Sequence, residues 1–508
     1  MAACQTAERI LPPGLKDRLL PHMRRLEPLL TSDDPKHLAQ RMALVAFAIR
    51  VVSAGIAFVS QIIMARMMGE FEYGIFVFVW VLVVLFGNLS CLGFHTAIIR
   101  FVPQYHAVNA LDEIRGMTAT VRIFALLSAT VLAVVGIGGL IVFGDLVNGY
   151  YLVPLYLGIF ALPMIALGDV MDGTSRAHSW AVSALSPTYI VRPVLILAFM
   201  VGAVWSGEPS TARTAMIAAM VATYVTSVGQ FFILTWRLRK RYRAGPLRLE
   251  FRTWLRVALP IFLIEGFGFM LTNSDVVLVG IALDPESVAI YFAAAKTMAL
   301  VHFVMFAVKA AAAPRFSAAM GKSGMGKPDR QQLSAIAIES ARWCFWPSLF
   351  VGGCVLASGG FLLSLFGPAF MSGYPLMAIL FAGIMAKALI GPAEALLTMG
   401  GQQALCVKLY AAALAANLAL NVTLIPVFGL TGAALATAGA MMVEATLLHL
   451  AVRHTFGIRL FAFAAPQSGP VDTTLPDRGL PDRGIPDRGI LDVDQTTTRP
   501  MDAEASRP

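Results

Sequence analysis

The chain has 508 residues, 57% of them hydrophobic and 14% charged, with a formal net charge of +9. A soluble domain sits near about 45–50% apolar and about 25% charged, so this balance excludes a soluble enzyme and describes a polytopic membrane protein. The positive charge collects in loops, as it does on the cytoplasmic side of membrane proteins, and no nucleic-acid partner is expected.

The first forty residues are polar and lack an apolar stretch, so no signal peptide is expected. Within them "LKDRLLPHMRRLEPLL" (Leu15 to Leu30) reads either as a short interfacial helix broken at Pro21 or as a solvated arm. Twelve apolar spans follow, near 42–66, 74–98, 117–143, 152–170, 186–206, 214–236, 254–282, 288–312, 336–366, 375–398, 403–425 and 430–452. Each is long enough to cross about 30 Å of hydrocarbon as a helix. No ten-residue alternation of the barrel kind occurs. The expected fold is therefore an all-α polytopic membrane protein. Between the last two spans, Pro426 and Gly429 predict a tight turn joining two helices into a hairpin.

Seven basic residues lie between Arg237 and Arg252, after span six. Arg315, Lys322, Lys327 and Arg330 lie between spans eight and nine. The alternate loops, "GEFEY", "GDLVNGYY", "SGEPST", "DPES", "GPAFMSGY" and "PVFG", contain no Lys or Arg. That asymmetry places both termini in the cytoplasm. No loop has room for a soluble catalytic domain. After Arg459 the composition changes, and "LPDRGLPDRGIPDRGILD" has proline and glycine in every unit and no apolar face. It reads as a disordered tail.

The halves echo each other. The spacing that sets Gly74 against Ala289 also sets Arg100 against Arg315 and Arg50 against Glu265, and within one position Arg192 against Lys408. This divides the chain into a cytoplasmic arm (1–41), an N-lobe of six helices (42–236), a basic linker (237–253), a C-lobe of six helices (254–456) and a tail (457–508). Two six-helix halves of this kind are related by an axis along the membrane normal.

Ionisable groups inside a membrane are costly, by about 2.5–3.5 kcal/mol on insertion scales, and face a cavity or a partner. The embedded cations are Arg50, Arg122, Arg192, Lys296, Lys309, Lys387 and Lys408. Arg50, Lys296 and Lys387 lie deepest, whereas Arg122, Arg192, Lys309 and Lys408 are near enough to span ends to snorkel. The embedded anions include Glu265, Asp275, Glu394 and Glu444. Glu265 reads as a proton or cation site, or as the partner of a cavity cation. For Asp275, a hydrogen bond to the eighth helix competes with an ion-coupling role. The spacing of Arg50 and Glu265 further suggests opposite charges facing one another across the lobes. Scattered histidines show no metal spacing, and the five cysteines read as small core residues. "GKSGMGK" (Gly321 to Lys327) follows no strand and departs from the phosphate-binding loop pattern. No metal, cofactor or direct ATP drive is expected.

"ARMMGEFEYGIF", "LGFHTAIIRFVPQY", "NSDVVLVG" and above all "LNVTLIPVFGLTGAALAT" resemble the polysaccharide branch of the multidrug/oligosaccharidyl-lipid/polysaccharide exporter superfamily, which includes the O-antigen and exopolysaccharide flippases. The resemblance covers about residues 42–456. It implies two lobes rocking around a central cavity by alternating access, with Asp275 on a family pattern of span seven. The implied substrate is a polyprenyl-diphosphate-linked oligosaccharide crossing a bacterial inner membrane. Its implied partners are membrane lipids and polysaccharide polymerase or chain-length machinery. Arg50, Arg122, Arg192, Lys296, Lys387 and Lys408 are the expected diphosphate cations; Glu265 and Asp275 are the expected ion-coupling or charge-pair residues. A multidrug extruder of the same superfamily would favour an acidic cavity, and span one offers Arg50 and no acid. A membrane-embedded polymerase or ligase would need a large polar exterior loop. A non-enzymatic carrier fits better than either.

Overall fold

A computed structural model describes residues 35–321 and 330–464. The Leu15–Leu30 segment, most of the glycine–lysine loop and the PDRG repeats lie outside those residues. Among the described residues every regular element is helical.

Helices α1 (35–68) and α2 (70–90) form one run broken only at Gly69, whose φ of 75° is open to glycine at no steric cost. The turn is thus one residue long. Glu70 and Glu72, expected in a loop, begin α2, where the exposed N–H groups favour carboxylates. A short turn at 91–93 leads to α3 (Phe94–Ala107), followed by α4 (Leu111–Phe143) and α5 (Gly149–Ala177). Helix α6 (Ala181–Trp205) contains a π-turn at Pro187–Val191. Helices α7 (Ala212–Arg241) and α8 (Phe251–Ala282) flank the basic linker. Helix α9 (Pro285–Met320) is capped by Asp284, which accepts from Ser287 N–H at 2.8 Å. Then come α10 (Arg330–Ala357), α11 (Tyr374–Ile390) and α12 (Ala393–Met399). Helices α13 (403–428) and α14 (430–456) are one run broken at Gly429, at φ 56°. That glycine is the expected hairpin turn. Pro426, in contrast, does not end α13, and Pro260 does not interrupt α8.

Nine helical stretches among the described residues are long and apolar enough to cross a membrane. Two of them, Ile49–Ser90 and Gln403–Phe456, are the glycine-broken runs. Helix α10 has the length but carries Glu339 and Arg342 in its first half and is not among the nine.

The cores reveal how the two halves meet. At the Gly69 and Gly429 end they share one cluster, which includes Met64, Tyr73, Phe76, Val288, Tyr291, Phe366 and Met377. Arg66 reaches across to donate to the carbonyls of Ser364 and Leu365 at 2.6 and 2.7 Å. Toward the basic-loop end the core divides. One cluster joins α9, α10, α12 and α14, through residues such as Phe316, Leu333, Leu396 and Val452. Another joins α3, α4 and α5, through Phe94, Ile98 and Val121, and it takes in Trp254 and Ala258 of α8. The halves share one core at one end, whereas at the other their cores are separate and α8 enters that of the N-terminal half.

One boundary and one cysteine differ from expectation. Ile458, Leu460 and Ala462 are buried in the C-terminal half's own core, with Ala462 N–H donating to Leu389 O at 2.9 Å. Residues 457–464 thus pack with the C-terminal half, because their alternate apolar side chains have a groove to fill. Among the cysteines, Cys91, Cys344 and Cys406 are buried as expected, but Cys354 is exposed.

Candidate functional site

Five of the seven embedded cations fall into two groups. In the first, each positive charge rests on an aromatic ring. The Arg50 guanidinium lies 4.7 Å from the Tyr189 ring and 5.5 Å from the Phe306 ring. Arg192 lies 5.8 Å from Trp80, and Lys296 5.0 Å from Phe292. Among the described residues none of these three forms an ion pair with a carboxylate. A ring face holds a cation with about 0.5–2 kcal/mol without cancelling its charge, so the positive potential stays available to a ligand.

One helix face connects the Arg192 and Lys296 sites. Tyr73, Phe76 and Trp80 follow one another at helical spacing along α2. Phe76 and Trp80 stack at 6.2 Å, and Tyr73 meets Phe292 at 6.4 Å. Trp80 thus leads to Arg192, Tyr189 on the same helix leads to Arg50, and Phe292 leads to Lys296. Arg50 itself touches both halves, Tyr189 on α6 and Phe306 on α9.

In the second group the lysines are paired. Lys309 Nζ lies 2.5 Å from Glu394, and Lys387 Nζ lies 2.8 Å from Glu444. Both pairs line a cavity of about 220 Å³ within the C-terminal half, together with His302, Phe306 and Tyr410. Lys387, expected as a bare diphosphate cation, is neutralised here by Glu444.

The remaining expected residues are elsewhere. Arg122 is bound within the N-terminal half, 5.4 Å from Phe231 and donating to Thr235 Oγ1 at 3.2 Å. Lys408 is exposed on α13 and is not part of the cavity. Glu265 does not meet Arg50 in this structure: its carboxylate lies 3.2 Å from His95 Nε2. A shared spacing fixes similar depth but not azimuth, and α8 turns Glu265 toward α3. Asp275 accepts from Tyr291 Oη at 2.9 Å and from Val276 N–H at 2.8 Å. This is the hydrogen bond to the helix α9 that competed with the ion-coupling role. Ser274 beside it donates to Asn417 at 2.9 Å, which ties α8 to α13.

Trp80, Tyr189, Phe292 and Phe306 were not singled out in the sequence. The available signal is the aromatic stripe of Tyr73, Phe76 and Trp80, which is hidden among phenylalanines of an ordinary lipid-facing kind.

The family described as polysaccharide biosynthesis protein matches residues 40–320, more than half of the chain, and the chain belongs to that family. Solved structures share the fold at low identity. One is titled an inward-facing conformation of a multidrug resistance MATE family transporter of the MOP superfamily. It is 14% identical, with a TM-score of 0.63, over 81% of this chain and 94% of that one. Another is the lipid II flippase MurJ in an inward closed conformation, 14% identical, with a TM-score of 0.65, over 81% and 87%. A third is a MOP superfamily transporter from Pyrococcus furiosus, 17% identical, with a TM-score of 0.56, over 85% and 97%. No curated protein sequence matches the chain. The protein is a multi-pass, all-helical membrane protein with the fold of these transporters.

Proposed function

We propose that the protein is a flippase for a polyprenyl-diphosphate-linked oligosaccharide, moved by alternating access without bond-making chemistry. The observation that carries this is the set Arg50, Arg192 and Lys296, each held against aromatic rings and none in an ion pair with a carboxylate among the described residues. A diphosphate leaving water needs uncompensated cations and charge-assisted hydrogen bonds. Cationic drugs would be repelled by the same groups, which disfavours the multidrug reading. The fused core at one end and the divided core at the other support a state open toward the basic loops. With both termini cytoplasmic and twelve crossings, that state receives substrate from the cytoplasm of a bacterial inner membrane. The oligosaccharide then feeds O-antigen or exopolysaccharide assembly outside.

The test is binding of undecaprenyl diphosphate and of undecaprenol to the purified full chain, followed by native mass spectrometry. The diphosphate should bind far more tightly. Arg50→Ala, Arg192→Ala and Lys296→Ala should each weaken it about tenfold or more, since hydrogen bonds between charged groups contribute about 1.5–3 kcal/mol. Binding of undecaprenol should not change. Equal affinity of the unaltered protein for diphosphate and alcohol would overturn the proposal.

A further inference from the structure

The paired-lysine cavity is unused by the diphosphate. Two ammonium groups and two carboxylates cancel, so it offers no net attraction to an anion. Its polar groups are nonetheless numerous and only partly spent. After one mutual contact each ammonium retains donors, and each carboxylate retains acceptor sites. Lys387 and Glu444 form the less accessible pair, with side chains 27% and 8% exposed. Lys309 and Glu394 form the more accessible one, at 45% and 33%.

Size and position narrow the ligand. The cavity of about 220 Å³ is below the roughly 300–1,000 Å³ of drug-sized pockets, so it admits one ring and not an oligosaccharide. Donors and acceptors from the two pairs meet a ring bearing several hydroxyls, and the aromatic faces of Phe306 and Tyr410 border the same space. Phe306 is also the ring 5.5 Å from Arg50. An anion held at Arg50 and a ring held in the cavity would therefore both lie against this one side chain, as two directly joined groups can.

We propose that this cavity binds an uncharged sugar residue, the one bonded directly to the diphosphate, while Arg50 holds the diphosphate itself. The assignment rests on the diphosphate proposal above and extends it to the adjoining ring. Phe306 borders both subsites, so filling both ties Arg50 of the N-terminal half to the cavity of the C-terminal half.

The experiment compares three probes on the purified full chain: undecaprenyl diphosphate, and the same carrier bearing glucose or N-acetylglucosamine. At least one sugar-bearing probe should bind about tenfold tighter than the bare carrier, equivalent to about 1.4 kcal/mol. Glu394→Gln and Glu444→Gln should each abolish that gain, measured against the same variant's own affinity for the bare carrier. Phe306→Ala should also abolish it. Arg50→Ala should weaken all three probes in equal proportion. Melting temperatures monitor folding, and Glu394→Gln, at the accessible pair, is the variant that keeps the test valid if Glu444→Gln unfolds. A bare carrier that binds while no sugar adds affinity, or a gain that survives the glutamine variants, overturns the sugar subsite alone. A bare carrier that binds no better than undecaprenol overturns the diphosphate proposal beneath it.

Discussion

Gly74 of α2 packs against Pro285 of α9 so closely that a methyl group on Gly74 would meet the Pro285 carbonyl oxygen at 1.7 Å. Only a residue without Cβ allows the two halves to fuse at this end. Gly74→Val should therefore part them, because overpacking a close contact costs about 1–3 kcal/mol. Spin labels at Glu70 and Glu286, in a cysteine-free background, would report this by double electron–electron resonance. The distance distribution should shift to longer values in the variant, and transport should fall. An unchanged distribution would show that this contact does not hold the fused end shut.

His95 and Glu265 should be energetically coupled. The single changes His95→Ala and Glu265→Gln should each lower stability, and the double variant should cost less than their sum by about 0.5–3 kcal/mol. The exchange of Arg50→Glu with Glu265→Arg should recover no activity, since the two side chains have different partners in this state. Recovery by the exchange would instead require a second state in which they meet.

Two truncations should behave differently. Deletion from Gly469 onward should leave abundance and melting temperature unchanged. Deletion from Gly457 onward removes Ile458, Leu460 and Ala462 from the core, at about 1.5–3 kcal/mol for each large apolar side chain. It also removes the carbonyls of Ala462 and Ala464 that accept from Arg342 at 3.0 and 2.9 Å. The melting temperature of this shorter chain should fall by several degrees. Equal melting of both truncated chains would show that 457–464 contributes nothing to stability.

Arg115 straps the basic linker to α4. It donates to the carbonyls of Arg243 and Pro246 at 2.9 and 3.1 Å and is held in place by Asp112. Arg115→Ala should free the linker locally, so cleavage by trypsin at Arg243 and Arg248 should accelerate on the order of tenfold. The melting temperature should change little. Unchanged cleavage would mean that Arg248, paired with Glu113 at 3.0 Å, holds the linker unaided.

Helix content was legible in the sequence because apolar runs of membrane length leave few alternatives. The hairpin at Gly429 was legible because a single glycine marks it. The site was legible only in part. Depth along a helix can be counted from residue to residue, and so Arg50, Lys296 and Lys387 stood out as the deepest cations, whereas Arg192 counted among those able to snorkel. Azimuth cannot be counted across a turn between helices, and so the Glu444 partner of Lys387 and the His95 partner of Glu265 did not. The packing of Ile458 and Leu460 was masked by their polar neighbours, although their alternation is the pattern of an extended segment lying in a groove.

Helix α8 belongs to two bodies at once. Trp254 and Ala258 near its start are built into the core of the N-terminal half, and Trp254 donates to Tyr105 Oη at 2.9 Å. Val276 and Val279 near its end are built into the fused core. The line between duplicated halves in the chain is therefore not the line along which the molecule can bend. The alternating access proposed above would have to bend this helix between its two cores, a stretch that holds Pro260, which lacks a backbone donor, and Gly268. Glu265 sits within that stretch. Its contact with His95 ties this stretch of α8 to α3 of the N-terminal half.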